Sequence, residues 1–257
     1  MTGLSALAAL LAMVPGLTKA PVPPAVRVLI LTGQNNHDWK ATTPVLKEML
    51  ERSGRFQVEV TEDPASMTAE SLEPYDLVFS NYNGPRWGAT AEGALLDFVR
   101  SGKGFGLMHA ANNAFGDWPE FDRLIGIAWR EGAGHGAYWS FPVRIRDRRH
   151  PITRGMRAFQ HAPDELYHNL RVCPEANLEV LAWAFSRRDK GGTGKPEPQA
   201  LVVRYGEGRV FHMVMGHSVE SMSDAGFVAL MQRGCEWAAT GKVTIPVPAD
   251  LPPPQGE

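Results

Sequence analysis

Apolar and polar positions follow two regimes along the chain. Val26–Leu31 is a continuous apolar run, the pattern of a strand buried on both faces of a parallel sheet, and Gly33 ends it. Thr43 and Pro44 predict a capped helix start, Val45, Leu46, Met49 and Leu50 supply its apolar face, and Gly54 closes it. Residues 56–60 and 75–80 read as the next strands, 90–100 as a second capped helix closed by Gly102, and 104–109 as a fourth strand. After Gly126 the period changes. Trp139, Phe141, Val143 and Ile145 alternate with polar residues as in a strand with one wet face, and 178–184 reads as another strand. Residues 200–203 and 209–214 flank Tyr205-Gly206-Glu207-Gly208, a hairpin signal. Phe227, Leu230, Met231, Gly234, Cys235 and Ala238 then repeat at helical spacing within a final helix over about 224–239.

This alternation predicts an α/β fold: a mostly parallel sheet flanked by helices on both faces, with an added antiparallel hairpin. Ligands of such sheets bind beyond the carboxyl ends of the strands, which directs attention to three loops. They read Gly33-Gln34-Asn35-Asn36-His37-Asp38-Trp39, Asn81-Tyr82-Asn83-Gly84-Pro85-Arg86-Trp87 and His109-Ala110-Ala111-Asn112-Asn113-Ala114-Phe115. Any one of them is explained by Asn, Asp and Gly serving a turn. Three such loops converging on one rim make Asn36, His37, Asp38, Trp39, Asn83, His109, Asn112 and Asn113 candidates for a site. His217 lies just past the last hairpin strand, His135 sits in Gly134-His135-Gly136, and Glu165 in Asp164-Glu165-Leu166-Tyr167.

The 257 residues, 44% apolar and 21% charged, suffice for one well-buried domain. A net charge of -2 offers no field for nucleic acid. Residues 1–20 read as a secretion signal: a Leu/Ala-rich run followed by Leu17-Thr18-Lys19-Ala20, although no Lys or Arg precedes Leu4. The run is broken by Pro15 and is too short for an anchor, so no membrane span is expected in the mature chain. With a cleaved signal the protein is periplasmic or extracellular, and otherwise cytoplasmic. Residues 21–26 read as a Pro-rich spacer, 27–241 as the domain, and 242–257 as a solvated Pro-rich tail. Export would permit Cys173 and Cys235 to pair without requiring it. Cys235 falls on the apolar face of its helix, and neither looks catalytic.

The pieces Leu31-Thr32-Gly33 with Asn36-His37-Asp38-Trp39, Gly102-Lys103-Gly104 with His109-Ala110-Ala111, His150-Pro151-Ile152, Asp164-Glu165-Leu166-Tyr167, and residues 206–211 with Gly216-His217 resemble the ThuA-like, or trehalose-utilisation, family. The resemblance runs from about Arg27 to Gly241. It implies a class I glutamine amidotransferase-like (flavodoxin-like) fold and a link to sugar catabolism, but no settled reaction. In true amidotransferases a cysteine occupies the sharp turn after a strand. Here His109 stands in that place, so glutamine hydrolysis through an acyl-cysteine is excluded on chemistry.

His109 has three readings: a general acid or base, a metal ligand with His37, His135 and His217 as partners, or a histidine hydrogen-bonded to a neighbouring loop. No His-Glu-x-x-His or Cys-x-x-Cys spacing is present. No cofactor is firmly implied, while a divalent metal such as zinc would suit the histidines. Asp164 and Glu165, adjacent in a strand, should point to opposite faces, so at most one reaches the site. Trp39, Trp87 and Trp129 can each stack on a sugar ring or pack in the core. Two functions remain open. One is an enzyme of carbohydrate catabolism moving a proton on a sugar or keto-sugar, with His109, His37 and His217 catalytic and Asn36, Asp38, Trp39, Asn83, Asn112, Asn113, His135 and Glu165 binding substrate. The other is a non-catalytic sugar-binding or accessory protein on the same fold. The expected partner is a small-molecule carbohydrate, and the oligomeric state is left open.

Overall fold

The computed structural model describes residues 25–255, so the expected signal segment and the spacer before Ala25 lie outside the described residues. The first half alternates strands and helices: β1 (Val26–Leu31), α1 (Trp39–Arg52), β2 (Phe56–Thr61), α2 (Ala69–Leu72), β3 (Leu77–Ser80), α3 (Ala89–Arg100), β4 (Gly104–Met108) and α4 (Pro119–Ile125). The second half is mainly strands: β5 (Ile127–Ala128), β6 (Gly134–Trp139), β7 (Pro142–Ile145), β8 (Phe159–Gln160), β9 (Asp164–His168), β10 (Arg171–Val172), β11 (Asn177–Ser186), β12 (Lys195–Tyr205) and β13 (Gly208–Met213), before α5 (Ala225–Thr240).

The main sheet runs β2-β1-β3-β4-β13-β12-β11-β7-β8. From β2 to β13 neighbours are parallel, and from β13 to β8 they are antiparallel. Strand alternation divides the core. Val28 and Ile30 join a cluster with Leu46, Leu50, Phe227 and Leu230, whereas Leu29 and Leu31 join one with Leu95, Val99, Phe121 and Leu124. Each side chain such as Ile30 or Leu31, fully buried, contributes roughly 1.5–3 kcal/mol. The β12–β13 hairpin is no appendage: β13 lies beside β4 and is buried along almost its whole length, so it completes the parallel core.

Three local expectations differ from the structure. Helix α1 begins at Trp39, before Thr43, because the Asp38 side chain accepts a hydrogen bond from the Ala41 N–H at 3.1 Å and caps it. Pro44 therefore lies inside the helix and forfeits only the bond to the Lys40 carbonyl. The alternating run through Trp139 and Ile145 is two strands. It breaks where the Phe141 carbonyl accepts from His161 N and Pro142 has no N–H to give, so β6 pairs with β9 in a separate sheet while β7 joins the main one. The Pro-rich tail is docked, not solvated. Val243, Ile245 and Val247 pack on the core, Leu251 is buried, and buried Glu236 accepts from Thr244 N and Ile245 N. Apolar residues between the prolines supply that adhesion. Among the described residues no helix is long and apolar enough to cross a membrane.

Candidate functional site

Strand β4 ends at Met108, and His109 takes a left-handed backbone, φ 45°, before a 3-10 helix over His109–Asn113. A non-glycine residue held there stores on the order of 1–3 kcal/mol, which the surrounding packing must impose. The His109 ring is buried. Its Nδ1 lies 2.9 Å from the Val214 carbonyl, which can only accept, so Nδ1 carries a proton and, in the neutral ring, Nε2 presents the lone pair. That Nε2 faces Glu165 Oε2 at 3.6 Å. Tyr167 packs on the other side, ring centroid 4.1 Å away.

His217 follows β13 through Gly216, whose φ of 119° admits only glycine without strain. The Gly216 and His217 N–H groups donate to Asp164 Oδ2 and Oδ1, at 2.7 and 3.2 Å, and His217 Nδ1 lies 3.1 Å from Glu165 Oε2 without hydrogen-bond geometry. His37, beyond β1, has its N–H held by Asn35 Oδ1, and its Nε2 is 3.6 Å from the same carboxylate oxygen. The His37 ring meets those of His109 and His217 edge-on at 4.8 and 4.5 Å. The carboxylate at the centre comes from β9, where alternation sends fully buried Asp164 to one face and Glu165 to the other. One donor atom from each of His37, His109, His217 and Glu165 lies within 4.8 Å of the others. His37 Nδ1, His109 Nε2 and His217 Nδ1 are buried without a hydrogen-bond partner.

Burial pushes the Glu165 carboxyl up, but the imidazoles of His109, His217 and His37 outweigh it and hold the group well below the usual carboxylate range. Glu165 raises His217 against the opposing effect of burial. For His37 burial comes first and lowers it, reinforced by His109 and His217. The site is thus a carboxylate ringed by imidazoles of unequal basicity, able to accept and donate protons near neutrality or to gather round a cation.

Other candidates divide. His135, on β6, reaches the rim: its Nδ1 donates to the Gly136 carbonyl at 2.8 Å and its Nε2 faces Glu165 Oε1 at 3.6 Å. Asn83 Nδ2 donates to Asn36 Oδ1 at 2.6 Å, tying two of the loops together. Half-exposed Trp129 packs on Tyr167 at 4.5 Å and lies 6.1 Å from His135. Asp38 is occupied as a helix cap. Trp39 lines a groove with Thr43 and Lys47 in which no member of the cluster takes part. Asn112 is fully buried and turned to His212, 3.3 Å from its Nε2, and the Asn113 carbonyl accepts from Arg130. Trp87 is buried against Tyr82 and Phe115. Cys173 and Cys235 are both free thiols, Cys235 packed against Met231. A groove lined by Trp139, Arg144 and Arg187 carries no comparable convergence of titratable groups, so chemistry and not concavity locates the site.

Behind the cluster lies a network that sequence reasoning missed. Fully buried His161 is bracketed by Asp224 Oδ2, 2.6 Å from Nδ1, and Asp164 Oδ2, 2.9 Å from Nε2. Burial disfavours its charge, yet the two carboxylates prevail and raise it to about 9. Asp224 also caps α5 through the Phe227 N–H. Period-two alternation in Asp164-Glu165-Leu166-Tyr167 could have placed Tyr167 beside Glu165, but nothing local joins His161 to Asp224.

The fold and site define an α/β protein with a parallel-sheet core and a histidine–carboxylate centre at its strand ends. The family described as ThuA, trehalose utilisation, matches residues 27–238, and the chain belongs to it. A ThuA-like protein from Parabacteroides merdae is 35% identical over 90% of this chain and 95% of its own, with a TM-score of 0.81. A ThuA-like protein from Bacteroides uniformis is 18% identical over 89% and 97%, TM-score 0.70, and a cytoplasmic protein of Salmonella typhimurium 14% identical over 83% and 97%, TM-score 0.58; these two share the fold. A search of the curated proteins returns no match.

Proposed function

We propose that the protein is an enzyme of carbohydrate catabolism that moves a proton on a sugar or keto-sugar at the His37–His109–His217–Glu165 centre, without glutaminase chemistry. The observation that carries this reading is the His109 ring. Its Nδ1 is tied to the Val214 carbonyl, so the neutral ring carries its lone pair on Nε2, which is buried, unpartnered and aimed at the centre. A fixed, desolvated imidazole lone pair is a general base held ready. A carbon next to a ketone is the sugar position acidic enough for it, and His217, made more basic by the Glu165 carboxylate, would return the proton. Trp129 and the joined Asn36–Asn83 rim supply a ring-stacking face and amides for hydroxyl groups. His109 in place of a cysteine leaves no acyl-enzyme route.

The test is hydrogen exchange with D2O, followed by NMR, on disaccharides and their keto derivatives incubated with the full chain. Exchange at the carbon beside the ketone, lost by roughly 100-fold or more in His109→Asn while ligand affinity stays within a few-fold, is the expected outcome. Ligand binding with neither exchange nor turnover in the wild type would make it a sugar-binding or accessory protein instead.

A further inference from the structure

We propose that the centre holds one divalent first-row transition-metal ion, ligated by His37, His109, His217 and Glu165. Three observations carry it. First, ligand atoms of a tetrahedrally bound ion lie about 3.3 Å apart when the bonds are about 2.0–2.1 Å. Here one nitrogen of each histidine lies 3.1 to 3.6 Å from Glu165 Oε2, and all four donors fall within 4.8 Å of one another. Small side-chain rotations close that spread.

Second, the His109 tautomer is set from outside the centre. Because Nδ1 donates to Val214 O, an unprotonated Nε2 faces a carboxylate oxygen, and two lone pairs pointed at each other need a cation between them. An additional proton on one imidazole satisfies one such contact, but two buried, unpartnered ring nitrogens, His109 Nε2 and His217 Nδ1, face the same carboxylate oxygen. The His109 side chain is only 3% exposed, so water does not serve its nitrogen cheaply.

Third, the ligand-bearing segments are pinned by an outer layer. Asp164 holds the Gly216 and His217 amides, Tyr167 stacks on His109, and Asn35 holds the His37 amide. Such second contacts orient metal ligands before the ion arrives. Imidazole with one carboxylate favours a zinc-, iron-, cobalt-, nickel- or manganese-type ion over calcium or magnesium. The side of the centre next to half-exposed His135 is where a ketone and vicinal hydroxyl of a sugar could reach the ion and be polarised.

The ion rests on the same residues as the proposed function and takes the His109 Nε2 lone pair, so with the ion bound His109 is a ligand and rim residue His135 is left as the imidazole that could move the proton. Untagged full-length protein, stripped with chelator, is titrated with Co2+ and Zn2+ by calorimetry, and the Co2+ form is read by its visible d–d bands. The expected result is one ion per chain with bands of a histidine-rich site, affinity lowered at least about tenfold in His109→Ala and Glu165→Gln, and no change in His150→Ala, a histidine outside the cluster. No saturable site, or one that survives both ligand substitutions, overturns the inference. Saturable binding without exchange on any keto-sugar leaves it standing and removes only the sugar chemistry; exchange by a protein that shows no saturable site does the reverse.

Discussion

Two sets of histidines lie a few residues apart in the fold and are built on opposite principles. His161 and His212 are fully buried and satisfied: His161 between two aspartates, His212 between the Ile125 carbonyl and the Asn112 amide. His37, His109 and His217 keep ring nitrogens that no protein atom partners. The saturated pair holds the framework, and the unsaturated three are free to bind. Burial alone would have ranked them wrongly, since His109 is as buried as the structural pair. Hydrogen-bond completeness separates them.

The sharpest way to break that division is His161→Ala. It leaves Asp164 and Asp224 buried without their cation, and should cost about 3–5 kcal/mol in urea unfolding. A loss under 1 kcal/mol would place the network outside the framework, by the usual range for peripheral substitutions. It should also loosen His217, because Asp164 holds that residue's amide.

Acid and base should expose the two saturated histidines separately. Burial depresses His212 from 6.5 to about 4. The unfolded chain therefore takes up that proton first, and stability should fall by about 3 kcal/mol between pH 6.5 and 4. His161 is shifted the other way, to about 9. Its contribution is whole below pH 6.5 and drains as pH rises through 9. Unfolding free energies across pH 4 to 10 check both limbs, and an acid limb that is unchanged in His212→Gln would refute the first.

Asn112→Ala should cost about 1–2 kcal/mol by orphaning His212 Nε2, with unchanged affinity for any sugar ligand. Weakened binding at constant stability would return Asn112 to the site. The smallest expected effect on stability is at the unsaturated centre. His37→Ala and His217→Ala should each shift unfolding by no more than about 1 kcal/mol while abolishing turnover. A large destabilisation there would mean that the centre is framework after all.

The parallel part of the fold was legible because β1, β3 and β4 are short, mainly apolar runs and glycines stop the elements between them. Gly33, Gly54 and Gly102 mark the ends in the sequence itself. The half after Gly126 was less so. A single alternating run became β6 and β7 in different sheets, and prolines in the tail masked Val243, Ile245 and Leu251 as core residues. Of the candidate site, His37, His109 and His217 followed from one rule, that ligands sit past strand ends. His135 was named beside His109 as well, whereas Glu165 was recognisable as a candidate but not as the group at the centre. Asp38 and Asn112 were drawn into the same list because capping and buried hydrogen bonding use the residue types that binding does.

What the sequence determined by itself, then, is whatever depends on nearest neighbours along the chain: period, caps, the histidine at the turn after β4 and the family those motifs signal. Only the tertiary structure decided that Glu165 stands at the centre of three histidines from other segments, that Asp164 turns away from it to hold His217, and that His161 meets Asp224 across 63 positions. Those are through-space contacts set by how β9 lies against the ends of β4 and β13. A linear pattern carries no distance between segments, so the chemistry of the site became readable only when the sheet brought them together.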